Sequence, residues 1–400
     1  EQYRQRYREL RWKHRNAISL DNDDLGCAKN FFHKIHLKDH DPSYTKQFKI
    51  PDAHNDFIKQ TLDSWLKLGI VRRSNSLYNS PIFCVPKKSG KGLRIVQDFR
   101  KLNAKSQEDK YSMKEVSECI GEIGRANSQI FSTLDLTSGF WQLPIHQDDR
   151  HLTAFTVPGE GQFEWIRSPM GLLGCPASFQ RMMEAVMRGI ANVLVYIDDL
   201  LLHSKTHEDH LAALDKVLHR LAKNNIKINL TKCVFGNPNV SYLGYRLTPE
   251  GIKPGKDKLE AIRKAQPPTD ITMVKSFYGL CNFFRSHIKD FSTISAPLSR
   301  LTRKDSGYHG GPLPNDALAA FKTLQAALSS EPVVAYPRSD RKYALITDAA
   351  TGTDTKEGGV GAILAQIDDS GQFHVISYAS RQLKVHEKNY PAFTLEMKAA

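Results

Sequence analysis

The stretch Val193-Leu194-Val195-Tyr196-Ile197-Asp198-Asp199-Leu200-Leu201-Leu202 places two adjacent carboxylates between two short apolar runs. Short runs rich in Val, Ile and Leu are typical of buried strands, and the two aspartates between them predict a hairpin turn. Adjacent carboxylates repel each other unless a cation lies between them, and their hard oxygen atoms suit Mg²⁺. The alternative is an ordinary solvated turn, because Asp is a common turn residue.

A second β-prone run, over residues 130–136, carries Asp135 near its end. If the two runs form neighbouring strands of one sheet, Asp135 lies beside Asp198 and Asp199. Three carboxylates at one sheet edge can hold two Mg²⁺ ions, an arrangement that serves in-line phosphoryl transfer. The pattern therefore favours a two-metal site, in which one ion activates an attacking hydroxyl and the other neutralises a leaving pyrophosphate.

At these residues the chain resembles the reverse transcriptases of LTR retroelements, and in particular those of gypsy-class retrotransposons. The resemblance runs from about residue 15 to the end and rests on blocks that occur in the family's order. These blocks are RIVQDFRKLN at 94–103 (fingers), LDLTSGFWQL at 134–143 (first catalytic motif), SPMGLLGCPASFQ at 168–180 (nucleotide pocket), YIDD at 196–199 and YLGY at 242–245 (primer grip).

The resemblance implies an α+β fold, with a right-hand polymerase of fingers, palm and thumb followed by the N-terminal part of an α/β ribonuclease H-like domain. It implies an RNA-directed DNA polymerase that extends a primer with dNTPs on an RNA or DNA template. Mg²⁺ is the implied cofactor, with Mn²⁺ as a substitute. Other Pol and Gag products of the retroelement are the implied protein partners.

The resemblance also assigns the metal site. Asp135 and Asp198 would bind both ions most directly, the backbone carbonyl of Leu136 would assist, and Asp199 would support them. These three aspartates are the expected catalytic residues.

The expected nucleotide site includes Lys87 and Arg94, which match the triphosphate-contacting pair of the family; ordinary solvated charges on a hairpin are the alternative. Phe140 matches an aromatic residue under the sugar, where it would exclude a 2′-hydroxyl, although it could also be a plain core residue. Met170 and Gly171 match the pocket segment. Met170 departs from the Phe or Gln that is frequent in the family, but a flexible thioether can still pack against a nucleotide.

Four further residues match template or primer contacts. Asp98 and Arg100 lie in the fingers motif, and Leu243 and Gly244 lie in the primer grip. In the C-terminal part, Asp348 and Glu396 match the first two metal-binding carboxylates of ribonuclease H. If the resemblance is set aside, Asp348 is an ordinary aspartate at the end of a strand and Glu396 an ordinary surface glutamate on a helix. Because the family's further carboxylates follow this helix, we expect no ribonuclease H activity from this fragment.

The predicted organisation has five parts: an N-terminal lead (1–48), fingers and palm (49–250), a thumb (251–305), a linker or connection (306–340) and the partial ribonuclease H domain (341–400). The lead is rich in Arg and His and has little periodicity, so we expect a loose arm. The chain begins without Met and is expected to come from a longer polypeptide.

Composition agrees with a polyanionic partner. The net charge is +13, and residues 253–304 alone contain 11 Lys and Arg against 4 Asp and Glu. Such an excess favours nucleic acid, because phosphate contacts release counterions. Six scattered cysteines without a CxxC pair indicate a reducing compartment, and no apolar run is long enough to span a membrane. We expect an intracellular, cytoplasmic location in a virus-like particle.

Two other functions stay open. One is a non-catalytic nucleic-acid-binding descendant of such a polymerase, against which the presence of all three acids, Lys87 and Arg94 argues. The other is the polymerase of a non-LTR element or intron, against which the ribonuclease H opening argues.

Overall fold

The structure is a computed structural model that describes residues 2–87, 92–352 and 357–399. Its helices are α1 (Gln2–Lys13), α2 (Asn55–Lys67), α3 (Arg100–Lys105), α4 (Val116–Arg125), α5 (Cys175–Met187), α6 (His207–Lys223), α7 (Lys256–Lys264), α8 (Ile271–Asn282), α9 (Phe291–Leu301), α10 (Asn315–Ser329) and α11 (Ala392–Ala399). Its strands are β1 (Val71–Arg73), β2 (Ile82–Pro86), β3 (Leu93–Gln97), β4 (Ile130–Asp135), β5 (Phe155–Val157), β6 (Gly161–Trp165), β7 (Val193–Tyr196), β8 (Asp199–Ser204), β9 (Val234–Asn237), β10 (Val240–Tyr242), β11 (Tyr245–Thr248), β12 (Gly251–Pro254), β13 (Lys342–Gly352), β14 (Glu357–Ile367) and β15 (Phe373–Gln382).

The chain divides into two compact units. Unit 1 contains Glu1–Glu115, Ser132–His203 and His207–Gly236. Unit 2 contains Val116–Phe131, Ser204–Thr206 and Asn237–Ala400.

A four-stranded sheet in the order β7-β8-β4-β9 carries the three aspartates. The strands β8 and β4 are neighbours, as the two apolar runs predict. Leu200 and Leu202 on β8 are fully buried and pack in the same core as the apolar stripe of α6, which includes Leu214 and Leu218. The strand β8 is buried continuously from Leu200 to Ser204 and exposed at Asp199, so this acid lies where the buried part of the strand ends.

The strands β2 and β3 form an antiparallel hairpin, with Val85 opposite Arg94. Its basic turn is expected over residues 87–92, of which 88–91 lie outside the described residues. Gln97, at the end of β3, is buried; its side-chain amide donates to three backbone carbonyls, among them that of Thr153, and accepts from the Trp165 indole N–H at 2.6 Å. This glutamine ties the base of the hairpin to the three-stranded sheet β1-β6-β5.

The N-terminal lead contains an ordered helix, α1, which packs on α6. The ring of Tyr7 is buried against Gly236, where an added Cβ atom would lie 2.4 Å from the Tyr7 Cζ. The expectation of a loose arm over this part is wrong, because tyrosine rings rather than an aliphatic stripe supply the docking face.

Within unit 2, the helices α7 to α10 share one apolar core, in which the rings of Phe277 and Phe321 lie 4.4 Å apart. The helix α10 falls in the segment that the sequence analysis assigned to a linker. Its buried residues Phe321, Leu324 and Leu328 explain why it packs with the other helices of this core.

The C-terminal part of unit 2 is a three-stranded antiparallel sheet, β13-β14-β15, with α11 against β13 and β14. Asp348 pairs with Gly361 in this sheet. Among the described residues, no helix is long and apolar enough to cross a membrane.

Candidate active site

Asp198 and Asp199 lie at a tight hairpin turn between β7 and β8, where Tyr196 pairs with Asp199. The two turn residues are Ile197 and Asp198, and Ile197 has a φ of +55°. A β-branched residue in this left-handed region is rare, because its Cβ branches crowd the backbone. The turn therefore adopts a strained backbone at the residue that precedes Asp198.

Gln180, on α5, holds this turn. Its buried side-chain amide accepts a hydrogen bond from the Ile197 N–H at 2.6 Å and donates one to the Val195 carbonyl at 3.0 Å. The same NH₂ group donates to Glu184, whose carboxylate accepts from the Tyr111 hydroxyl. The sequence analysis missed this role, because a glutamine on an amphipathic helix does not reveal which backbone it meets.

Asp135 ends β4 and faces the same edge as the turn. Its Oδ1 atom is shielded from solvent and has no hydrogen-bond partner among the described residues. The Lys232 ammonium forms an ion pair with this oxygen at 3.4 Å. The Asp135 N–H donates to the Cys233 Sγ at 3.4 Å, and burial raises the pKa of that thiol to about 11.

The three carboxylates influence one another electrostatically. The pKa of Asp199 is raised, first because the surrounding protein limits its hydration and then because Asp198 and Asp135 add like charge. Asp199 as a whole residue is nevertheless exposed. The three carboxylates repel one another when no cation is bound. A bound cation relieves this repulsion, which increases the affinity of the site for the ion.

The donor set fits a divalent cation. All three side chains offer carboxylate oxygen, which suits Mg²⁺, and the Asp135 Oδ1 has an unused acceptor site. Within the described ranges, however, no three His, Cys, Asp or Glu side chains already form a closed metal cage. The site is therefore an open carboxylate edge. The backbone carbonyl of Leu136 is the expected fourth ligand. Leu136 follows Asp135 in the sequence, is buried and forms an antiparallel β-bridge with Ile228.

Gly139 brings the first catalytic motif close to Asp198. An added Cβ atom at this buried glycine would lie 3.1 Å from the Cβ of Asp198. The next residue, Phe140, is half-buried, and its ring makes an edge contact with Phe179 at 5.4 Å between centroids. Phe140 thus lies beside the acids but also contributes to packing, and both sequence interpretations of this residue remain open.

The pocket segment is held by Asn103 on α3. The Asn103 amide donates to the Gly171 carbonyl at 2.8 Å and accepts from the Leu173 N–H at 3.0 Å. Gly171 has a φ of +102°, a region that favours glycine. Met170 is 70% exposed, so its thioether is available for contact.

The hairpin of β2 and β3 presents two cations. Arg94 is directly opposite Val85, and Lys87 follows Val85 by two residues, so Lys87 and Arg94 belong to the same face. Both are exposed. After β3, Arg100 at the start of α3 makes a bidentate ion pair with Asp98, which lowers the pKa of that carboxyl.

The remaining matched residues belong to unit 2. Leu243 and Gly244 form the turn between β10 and β11, with φ values of +47° and +84°. A Cβ atom at Gly244 would lie 2.8 Å from the Lys258 Nζ, which itself sits 3.0 Å from the centroid of the Phe283 ring. The ammonium ends a flexible side chain and can shift, so it is the left-handed φ of Gly244 that favours glycine here.

Asp348 on β13 and Glu396 on α11 are both exposed. They belong to the same three-stranded sheet and its packed helix.

Comparison with known proteins identifies two domains. The reverse transcriptase (RNA-dependent DNA polymerase) family matches residues 85–247, and the RNase H-like domain found in reverse transcriptase matches residues 314–400. The retrovirus-related Pol polyprotein from transposon opus of Drosophila melanogaster is 37% identical over 92% of this chain and 37% of its own length. That from transposon gypsy of the same species is 32% identical over 97% of this chain and 38% of its own length. The chain thus spans less than two fifths of these relatives.

Solved structures agree on the fold. A foamy viral protease-reverse transcriptase in complex with double-stranded DNA superposes with a TM-score of 0.87 at 25% identity, over 100% of this chain and 68% of that one. A foamy viral protease-reverse transcriptase in complex with an RNA/DNA hybrid superposes with a TM-score of 0.85 at 24% identity, over 100% of this chain and 52% of that one. The expected α+β right-hand polymerase fold with an RNase H-like domain is confirmed. The chain belongs to the reverse transcriptase and RNase H region of retrovirus-related Pol polyproteins, with gypsy-class transposons among its relatives.

Proposed function

We propose that this chain is an RNA-directed DNA polymerase that extends a primer with dNTPs on an RNA or DNA template. The observation that supports this most is the meeting of Asp135 with the Asp198-Asp199 turn on neighbouring strands, in a chain of the reverse transcriptase family. Within the described residues, Lys232 compensates Asp135 only, so the charge of the Asp198-Asp199 turn still disfavours the metal-free fold, and a non-catalytic descendant would have no reason to keep that charge.

In this proposal Asp135, Asp198 and the Leu136 carbonyl hold divalent metal, and Asp199 supports them. When bound, Mg²⁺ or Mn²⁺ would supply charge neutralisation for phosphoryl transfer. Lys87 and Arg94 bind the triphosphate of the incoming nucleotide and offset its negative charge. Phe140 lies under the sugar, with Met170 and Gly171 completing the pocket.

The nucleic-acid contacts are also part of the proposal. Asp98 and Arg100 contact the template strand, and Leu243 and Gly244 contact the primer. The foamy viral relatives were solved with double-stranded DNA and with an RNA/DNA hybrid, which supports a duplex ligand here. The proposed domains keep the boundaries given above, with Asp348 and Glu396 as candidate ligands of the ribonuclease H part. Other Pol and Gag products remain the proposed partners, in a cytoplasmic virus-like particle.

The test is primer extension on an RNA template with Mg²⁺, comparing the unaltered protein with Asp198→Asn. We expect the substitution to remove extension while leaving duplex binding, measured by fluorescence anisotropy, nearly unchanged. Asp63→Asn, at an exposed aspartate on α2, is the matched control and should extend normally. Robust extension by Asp198→Asn would overturn the proposed site, and duplex binding without extension by the unaltered protein would favour the non-catalytic alternative.

A further inference from the structure

The helix α1 is held against the rest of unit 1 by several side-chain contacts. Tyr7 is 6% exposed and closely packed on Gly236. The Tyr3 hydroxyl donates to Glu208 at 2.5 Å, and its ring stacks on His207. At the other end of the helix, Asp215 accepts from His14 at 2.7 Å. The inner face of α1 is therefore anchored along its whole length.

The cations of α1 fall into two sets. Arg6 forms an ion pair with Glu208 at 3.8 Å, and Lys13 forms one with Asp215 at 2.8 Å. Arg4 and Arg8 are exposed, and within the part of the chain that the structure describes neither has an acidic partner. The one acidic residue of α1, Glu9, accepts instead from Gln5.

An exposed tryptophan continues the line of unpaired arginines. Trp12 is 72% exposed and follows Arg8 by four residues, as Arg8 follows Arg4. Residues four apart lie about 6 Å apart along one helix face, so the three side chains form a continuous stripe. The Arg15 guanidinium lies 5.4 Å from the Trp12 ring centroid and adds a third cation at its end.

Solvation alone gives no reason for this combination. Arg4 lies in the first turn, which contains no acidic residue, so its charge opposes the positive end of the helix dipole. The open ring of Trp12 lies beside these cations, which is the combination that single-stranded nucleic-acid sites use. Phosphates would satisfy the arginines and the helix end, and a base would cover the ring.

We propose that the outer face of α1, formed by Arg4, Arg8 and Trp12, together with Arg15 just after the helix, binds single-stranded nucleic acid. The arginines contact successive phosphates, and one base stacks on Trp12. This surface is additional to the polymerase site and rests on the proposed function only in taking the same class of ligand.

The first test uses the salt dependence of binding. For labelled oligo(dT) and oligo(U) of about twelve nucleotides, each phosphate contact contributes about 0.7 to the slope of log K against log salt concentration. Arg4→Gln/Arg8→Gln should lower that slope by about 1.4. The matched control is Arg6→Gln/Lys13→Gln, which removes the same charge from cations that already have partners. Equal slope changes in the two double variants, or none in the first, would overturn the proposal.

The second test uses Trp12 itself. Of the four tryptophans, Trp65 and Trp165 are buried and Trp141 is half-buried, so quenching by acrylamide reports mainly on Trp12. Oligo(dT) should quench and shield this emission, whereas inorganic polyphosphate should compete for binding without shielding the ring. Trp12→Ala should weaken binding by about tenfold, with an unchanged thermal midpoint. Unshielded Trp12 at saturation would overturn the stacking contact.

Neither test needs catalysis, so the Asp198→Asn protein can serve as the background. If the unaltered protein fails to extend primers but shows the slope change, the surface stands and the polymerase proposal fails. If extension is normal and the slope is unchanged, the polymerase proposal stands and the proposed surface fails.

Discussion

The side-chain carbonyl of Gln180 accepts a hydrogen bond from the backbone N–H of Ile197 at 2.6 Å, across 17 positions of the sequence. Ile197 has the left-handed φ that the Asp198 turn requires. Because this conformation costs about 1–2 kcal/mol for a residue with a Cβ, a buried partner that fixes the turn also fixes the position of Asp198.

Replacing Gln180 by Met should therefore impair catalysis more than substrate binding. The substitution keeps the volume but leaves the Ile197 N–H and the Val195 carbonyl unpaired, at a cost of about 1–3 kcal/mol each. We expect a lower kcat for primer extension with little change in KM for dNTP, and a lower thermal midpoint. Glu184→Gln, which touches Gln180 but not the turn, is the control and should keep most activity. Equal losses in both variants would assign Gln180 a general packing role.

Asp199→Asn should stabilise the metal-free protein at neutral pH. The pKa of Asp199 is raised by limited hydration and by the charges of Asp198 and Asp135, so its ionised form is unfavourable in the folded state. Removing that charge should raise the thermal midpoint by about 1–2 °C. Added Mg²⁺ should then stabilise the unaltered protein more than the variant, since one ligand charge has been lost. Scanning calorimetry with and without Mg²⁺ measures both effects, and an equal Mg²⁺ response would argue against an ion at this edge.

Phe140→Ala should raise incorporation of ribonucleotides relative to deoxynucleotides. Removing the ring opens space where a 2′-hydroxyl would otherwise collide, and a pocket contact of this size is worth at least about tenfold in selectivity. Single-nucleotide insertion with dNTP and rNTP gives the ratio. The neighbouring ring of Phe179 is fully buried, so Phe179→Leu should destabilise the protein without changing that ratio. A ratio unaffected by Phe140→Ala would make Phe140 a core residue only.

Acid should destabilise unit 1 through His210. This imidazole is fully buried, with its Nε2 2.6 Å from the Ser132 Oγ and with His203, His207 and Tyr7 around it. Burial lowers its pKa to about 4, from 6.5 in the unfolded chain. The neutral imidazole therefore contributes fully to stability above pH 6.5, and this contribution is lost as the pH falls towards 4. The free energy of unfolding should be lower by about 2 kcal/mol at pH 5.

The measurement is the free energy of unfolding at pH 7 and pH 5. The His210→Gln variant should lose less stability over this interval than the unaltered protein, even though its stability at pH 7 is lower. Substitution of the exposed His40 by Gln is the matched control for the loss of one imidazole. The explanation fails if His210→Gln shows the full acid loss.

The parts of the site that the sequence predicts are those encoded locally. Val, Ile and Leu runs that end at Asp135 and Asp198 identify two strands and their polar edge without knowledge of their partners. The supports of the site depend on distant pairs: Gln180 meets Ile197, and Asn103 meets Gly171 across 68 positions. Nothing in the pattern around either amide indicates its partner.

The missed helices have a similar cause. Only Tyr3, Tyr7 and Leu10 of α1 face the core, and an Arg-rich segment with so few apolar residues gives a weak helical signal. Docking on α6 supplies the missing stabilisation. The helix α10 has a clearer apolar face, but the Gly- and Pro-rich residues before it favoured a linker.

The contact of Tyr7 with Gly236 sets a limit on how far this chain can be shortened from its N-terminal side. The family match begins at residue 85, yet Tyr7, Ala17 and Ala28 are buried in the same core as the strand that leads to Asp198. A recombinant protein trimmed to the matched segment would open that core to water and should aggregate. For expression, or for exchanging this region between related elements, the fragment therefore needs to include the first helix, well ahead of the first recognisable motif.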